Sequence, residues 1–67
     1  MARRFPPPWT VEPVAGGFVV KDGAGQQLAY VYGRDERGDA DIAKVLTLDE
    51  ARRIASNIAK LPKLLKR

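Results

Sequence analysis

The amino-acid sequence predicts an α+β fold: a three-stranded antiparallel meander covered by one C-terminal amphipathic helix, in the order βββα. Three short runs rich in β-branched and aromatic residues are separated by glycine-containing turn signals. The last third of the chain changes period, because apolar residues there recur at three- and four-residue steps after a capping motif. Since the connections between the three runs are short, the strands are expected to pair antiparallel.

The chain is predicted to open with an extended proline-rich strap over residues 1–8. Residues 6–8 are all proline, which fixes φ and favours a polyproline II conformation. Phe5 and Trp9 bracket the prolines, so we expect the strap to lay two aromatic rings on the core. The alternative interpretation is a ligand for a proline-recognising domain, which needs a longer and unpacked segment.

Residues 9–33 hold the three predicted strands. Pro13 cannot donate to a hydrogen-bond ladder, so the first strand is expected at an edge of the sheet. The Asp22-Gly23 pair predicts a hairpin turn in which glycine takes a positive φ. The strands are predicted over residues 9–14, 18–21 and 27–32.

Strict alternation along these strands predicts which side chains face the helix. The helix-facing set is Trp9, Val11, Phe18, Val20, Leu28, Tyr30 and Tyr32. The opposite set is Thr10, Glu12, Val14, Val19, Lys21, Gln27, Ala29 and Val31. Four apolar members of the opposite set predict a partner-binding face: Val14, Val19, Ala29 and Val31. With one lysine and no arginine, the same set argues against a sheet that reads DNA bases.

The helix is predicted over residues 47–61. Thr47 and Glu50 have the spacing of a capping box, in which each side chain accepts a hydrogen bond from the other residue's backbone N–H. Pro62 disfavours helical geometry at the residue before it, so residues 62–67 are expected to form a short basic tail. The apolar stripe consists of Leu48, Ala51, Ile54, Ala55, Ile58 and Leu61.

The net charge of +4 is concentrated at the C-terminal end, where residues 51–67 hold six basic residues and no acidic residue. One interpretation is a solvated helix face whose cations complement the helix dipole. The other is a surface that contacts phosphate groups, with an affinity that falls steeply with salt. The candidate phosphate-contacting residues are Arg52, Arg53, Lys60, Lys63, Lys66 and Arg67, with Arg3 and Arg4 as further candidates.

Catalytic and metal chemistry find little support in the composition. The chain has no histidine and no cysteine, which are the commonest general base and the thiolate metal ligand. Ser56 therefore lacks a histidine to activate it. The acidic residues in a charged connector, predicted over residues 34–46, do not have the spacing of a calcium loop. We expect no catalytic residue, no metal ligand, no cofactor and no enzymatic activity.

Membrane association is also disfavoured by the sequence. No apolar run approaches the roughly 20 residues that span a bilayer. The leucines beyond Pro62 lie among lysines in a tail too short for a typical interfacial helix. A chain without cysteine is compatible with a reducing compartment, so a cytoplasmic location is predicted.

Binding is the function class that remains. The leading hypothesis is contact with a protein partner, or with a second copy in a homodimer, through the apolar patch on the sheet. The alternative is non-sequence-specific nucleic-acid binding through the basic C-terminal helix.

The chain also resembles a group of small uncharacterised bacterial proteins. The resemblance extends over nearly the whole chain. It implies a stand-alone protein and transfers no functional residue, because the group carries no established activity. The motifs that carry it are Arg3-Arg4-Phe5-Pro6-Pro7-Pro8-Trp9, Gly17-Phe18-Val19-Val20, Leu28-Ala29-Tyr30-Val31-Tyr32-Gly33-Arg34, Leu48-Asp49-Glu50-Ala51-Arg52-Arg53-Ile54-Ala55 and Asn57-Ile58-Ala59-Lys60-Leu61-Pro62.

Overall fold

The strands and the helix form in the predicted order. A computed structural model describes residues 5–35, 38 and 43–64. The three strands form one antiparallel sheet in the order β1-β2-β3, with the C-terminal helix packed against it, which confirms the predicted βββα architecture. The elements are β1 Thr10–Val14, β2 Gly17–Lys21, β3 Gln27–Tyr32, α1 Leu48–Ala59 and α2 Leu61–Leu64.

The register of the sheet contains one irregularity that decides which side chains share a face. Val20 pairs with Ala29, but the next residue, Lys21, pairs with Gln27. Leu28 is therefore an extra residue in β3, and the partner strand has none opposite it. Such a β-bulge interrupts strict alternation along a strand.

Helix α1 covers the face of the sheet that carries Val20 and Ala29. Ala29 and Ile58 line a common hollow, which places the helix on this side. Val20, Ala51 and Ala55 are fully buried, at 0% exposure. Because alanine side chains are short, the helix lies close to the central strand and leaves little room for a larger core.

Two predicted helix-facing residues, Tyr30 and Tyr32, lie on the other face, so that part of the prediction is wrong. Tyr30 pairs directly with Val19, and Tyr32 with Gly17, and cross-strand partners share a face. The bulge at Leu28 is the physical reason. Leu28 and Ala29 both reach the hollow beside Ile58, and the alternation beyond them is shifted by one residue.

The β2–β3 hairpin is built on Asp22 rather than on a two-residue turn. The Asp22 carboxylate accepts hydrogen bonds from the backbone N–H groups of Ala24 and Gln26, at 2.9 and 2.8 Å. The positive φ expected of glycine occurs at Gly25, with φ 89°, and not at Gly23. Gly23 instead donates its backbone N–H to the Pro6 carbonyl at 2.6 Å, so this glycine fastens the strap to the hairpin.

The two ends of the connector are held together beside the last strand. The Arg34 N–H donates to the Leu46 carbonyl at 2.8 Å, and the Leu48 N–H donates to the Arg34 carbonyl at 2.9 Å. This parallel bridge sets the start of α1 against the end of β3. The predictions for residues 36–37 and 39–42 lie outside the described residues.

Helix α1 begins and ends close to the predicted positions. The Thr47 N–H donates to the Glu50 carboxylate at 2.9 Å, and the Glu50 N–H donates to the Thr47 hydroxyl at 3.1 Å, which is the expected capping box. Lys60 caps the C-terminal end. The first residues of the predicted basic tail are helical, since they belong to α2, which begins directly after Lys60. Pro62 lies in the first turn of α2, where a missing N–H costs little.

Candidate binding surfaces

The sheet face turned away from α1 carries an exposed aromatic pair. We call this surface the open face; its members are Thr10, Glu12, Val14, Val19, Lys21, Tyr30 and Tyr32. The rings of Tyr30 and Tyr32 are stacked, with centroids 5.9 Å apart and planes inclined by 11°. Their side chains remain 45% and 57% exposed. Two neighbouring aromatic rings are therefore presented to solvent on a rigid strand.

Polar contacts are formed by Tyr30 and by its neighbours on the open face. The Tyr30 hydroxyl donates to the Gln27 side-chain oxygen at 2.7 Å. Across the sheet, the Lys21 ammonium donates to the Glu12 carboxylate at 3.0 Å. Val19 lies between its cross-strand partners Glu12 and Tyr30 and is only 1% exposed. The open face thus has a buried apolar centre, an aromatic side and one charge of each sign.

The predicted partner patch is divided between the two faces of the sheet, which corrects the prediction that its members lie together. Val14 and Val19 lie on the open face. Ala29 pairs with Val20 and Val31 pairs with Phe18, so Ala29 and Val31 belong to the side of α1. All four are buried or half-buried. The tyrosines supply the large exposed rings of the open face. They lie on this face because the bulge at Leu28 shifts the alternation along β3.

A small hollow extends the open face at the end of β3. It has a volume of about 240 Å³ and is lined by Tyr32, Gly33, Arg34 and Val45. Val45 is exposed beside it.

On the polar side of α1, Arg52 and Arg53 are already paired. Asp49 accepts a hydrogen bond from Arg52 at 2.8 Å, and its other oxygen lies 2.6 Å from the Arg53 guanidinium. The hydrogen bond from Arg52 and the charge of Arg53 lower the pKa of the Asp49 carboxyl below its usual value. Two of the six predicted phosphate contacts therefore share one counter-charge within the helix.

Lys60 caps the C-terminal end of α1 and Lys63 lies in α2, next to the strap. Together with Ala59 and Pro62 they form one wall of a groove of about 400 Å³, and Pro7, Pro8 and Trp9 form the other wall. We call this surface the Trp9 groove. Lys66 and Arg67, the remaining predicted phosphate contacts, lie outside the described residues, as do Arg3 and Arg4.

Trp9 is held in place by a hydrogen bond between its side chain and the strap. Its indole N–H donates to the Phe5 carbonyl at 3.0 Å. Trp9 also lines a second hollow of about 400 Å³, on the side of Phe5 and Ile58. The sequence predicted only a core role for this ring. No local pattern signals the groove, because its walls come from opposite ends of the chain.

Asp22 is the single buried charged residue in the part of the chain that the structure describes, at 5% exposure, and its carboxylate is engaged by the hairpin. Across residues 5–35, 38 and 43–64, no group of three or more acidic, histidine or cysteine side chains could hold a metal ion. None of the helices in that part of the chain is long and apolar enough to cross a membrane.

Comparison of the chain with protein-family models, with curated proteins and with solved structures found no match. The resemblance to small bacterial proteins therefore stays a prediction from sequence.

Proposed function

We propose that this chain is a small non-enzymatic binding module that associates with a second copy of itself through the open face. The observation that carries the proposal is the stacked and exposed pair of Tyr30 and Tyr32. Aromatic residues, tyrosine among them, are enriched in protein interfaces, because a rigid ring buries a large area at a low cost in side-chain entropy.

A second copy suits this surface for two reasons. The open face carries one carboxylate and one ammonium, Glu12 and Lys21, which already pair with each other, so a two-fold contact brings no unpaired charge to the interface from these two residues. The hollow beside Tyr32 offers a concave acceptor next to a convex ring pair, so the face contains both halves of a complementary contact.

The size of the face favours a weak and rapidly exchanging dimer. The three strands have only five or six residues each, whereas a stable complex buries roughly 800 Å² per partner. The proposal therefore predicts association at high protein concentration and dissociation on dilution. The same proposal includes a cytoplasmic location, with which a chain free of cysteine is compatible.

Sedimentation equilibrium over a wide concentration range tests this function. Wild-type protein should approach the dimer mass at high concentration, and Tyr32→Ala should stay nearer the monomer mass because it removes half of the exposed ring pair. Ile54→Ala is the matched control, since Ile54 is also a large exposed apolar residue but lies on α1. A monomer mass for the wild type at every concentration would rule the proposal out.

A further inference from the structure

The Trp9 groove has a cationic wall and an aromatic wall, a combination that a solvated helix end does not need. Lysines near the C-terminal end of a helix are explained by the helix dipole alone. The dipole does not explain why Lys60 and Lys63 stand across a groove from an indole ring and two prolines. The combination of a flat aromatic wall and a cationic wall calls for a ligand that has both a flat ring and a negative charge.

No described acidic residue neutralises the two lysines. Within the described residues, neither Lys60 nor Lys63 forms an ion pair. The acidic residues of α1, Asp49 and Glu50, lie at its first turn, about 15 Å along the axis from Lys60 at 1.5 Å per residue. Asp49 is also engaged by two arginines. Among the described residues, nothing therefore cancels the positive charge of the groove.

The backbone places Lys60 and Lys63 within one helical turn. The Lys63 N–H donates to the Lys60 carbonyl at 3.1 Å. On the opposite wall, the hydrogen bond from the Trp9 indole to Phe5 restricts rotation of the ring. The indole wall is thus pre-organised, and the two lysines stand on adjoining backbone positions, which lowers the entropy cost of binding.

We propose that the Trp9 groove binds single-stranded nucleic acid, with one base stacked on Trp9 and the adjoining phosphate groups held by Lys60 and Lys63. Stacking on an aromatic ring together with a cationic track for the backbone is the general mode by which proteins bind single strands without sequence preference. The groove volume of about 400 Å³ lies in the range of small-ligand sites, large enough for a base. This site lies on the side of α1 and does not depend on the open face.

Trp9 is the single tryptophan of the chain, so intrinsic tryptophan fluorescence reports on the surroundings of this one ring. Titration of the full chain with a short oligothymidylate at low salt should quench the fluorescence. An oligonucleotide of the same length with abasic sites should bind at least about tenfold more weakly and leave the fluorescence nearly unchanged, because it lacks the stacking base.

The double variant Lys60→Gln/Lys63→Gln tests the cationic wall. Both residues are exposed and unpaired among the described residues, so their substitution should leave the fold intact. The slope of log affinity against log salt should flatten by about 1.4, at about 0.7 per phosphate contact on a single strand. The matched control is Arg52→Gln/Arg53→Gln, which removes equal charge from α1 but from side chains already paired with Asp49.

Several results would overturn the proposal. Absence of binding at low salt would do so, as would binding of oligothymidylate without quenching. Equal affinity for the abasic strand, for duplex DNA or for an acidic peptide would show that charge alone is recognised. A greater loss of affinity in the arginine variant than in the lysine variant would place the contact on α1 and not in the Trp9 groove.

Discussion

At the residue scale, Asp22 is the side chain on which local order depends most. It is almost fully buried, and one of its oxygens accepts two backbone hydrogen bonds that close the β2–β3 hairpin. Its own N–H donates to the Gln26 carbonyl at 2.9 Å. A buried polar group is tolerated when its hydrogen bonds are made, and here the carboxylate replaces a tighter turn.

Two substitutions of Asp22 should therefore show how much of the stability depends on the hydrogen bonds that its carboxylate accepts. Asp22→Ala leaves two backbone donors without an acceptor, which should lower the free energy of unfolding by about 1–3 kcal/mol. Asp22→Asn keeps an acceptor oxygen at the same position and should lose much less. Urea unfolding followed by tryptophan fluorescence measures both, and equal stability of the two variants would contradict this role.

Asp49 should make a small contribution to stability that depends on pH. Its pKa is lowered in the folded state by the hydrogen bond from Arg52 and the charge of Arg53. A lowered pKa means that the folded state favours the ionised carboxylate, so the contribution is present above the usual aspartate pKa and is lost as pH falls through the lowered value. An NMR titration should place the midpoint of Asp49 below that of an unpaired aspartate.

The double variant Arg52→Gln/Arg53→Gln checks the cause of that shift. Without the two guanidinium groups the Asp49 midpoint should return to the usual aspartate value, and added salt should move the wild-type midpoint in the same direction. An unchanged midpoint in the variant would mean that the arginines do not cause the shift.

At the element scale, the strap and the hairpin are joined at one glycine. A Cβ on Gly23 would lie 2.6 Å from the Pro7 carbonyl oxygen, closer than such atoms approach. Glycine is needed at this position for the close approach of the strap and not for a positive φ. The position of Trp9, and with it the Trp9 groove, depends on that contact.

Gly23→Ala should therefore displace the strap. We expect lower stability and a red shift of the tryptophan emission, because the indole ring becomes more exposed to water. Gly38→Ala is the control, since a Cβ there has no atom within 4 Å. If the emission spectra of the two variants matched that of the wild type, the strap would not be held in this way.

Some features of the strands and of the helix can be predicted from the sequence, and others cannot. Strand positions, the edge location of β1 and the capping box of α1 follow from neighbouring residues, and these were predicted correctly. The face on which Tyr30 and Tyr32 lie was predicted wrongly, because a bulge at Leu28 reverses the alternation along β3. The position of the bulge depends on cross-strand pairing with Lys21, which the sequence of β3 does not contain. The Trp9 groove joins residues some fifty positions apart, so no local period reveals it.

At the scale of the whole molecule, the two candidate surfaces lie on different sides of the sheet. The open face carries one charge of each sign and an aromatic pair, whereas the Trp9 groove is cationic. Because they share no residue, their functions should be separable by substitution. Binding at separated sites without shared contacts is usually additive.

This separation makes a prediction for the variants. Tyr32→Ala should weaken self-association and leave oligothymidylate binding unchanged, whereas Lys60→Gln/Lys63→Gln should do the opposite. Sedimentation and fluorescence titration of the same two preparations measure both effects. A loss of both activities in either variant, with the fold intact, would show that the surfaces are coupled.

The most direct test of the open face is a dilution series followed by backbone amide NMR. The proposed dimer predicts shifts that change with concentration and cluster at Glu12, Val19, Lys21, Tyr30 and Tyr32, while the amides of α1 stay constant. Shifts that do not change with concentration, or that cluster on α1 instead, would contradict self-association through this face.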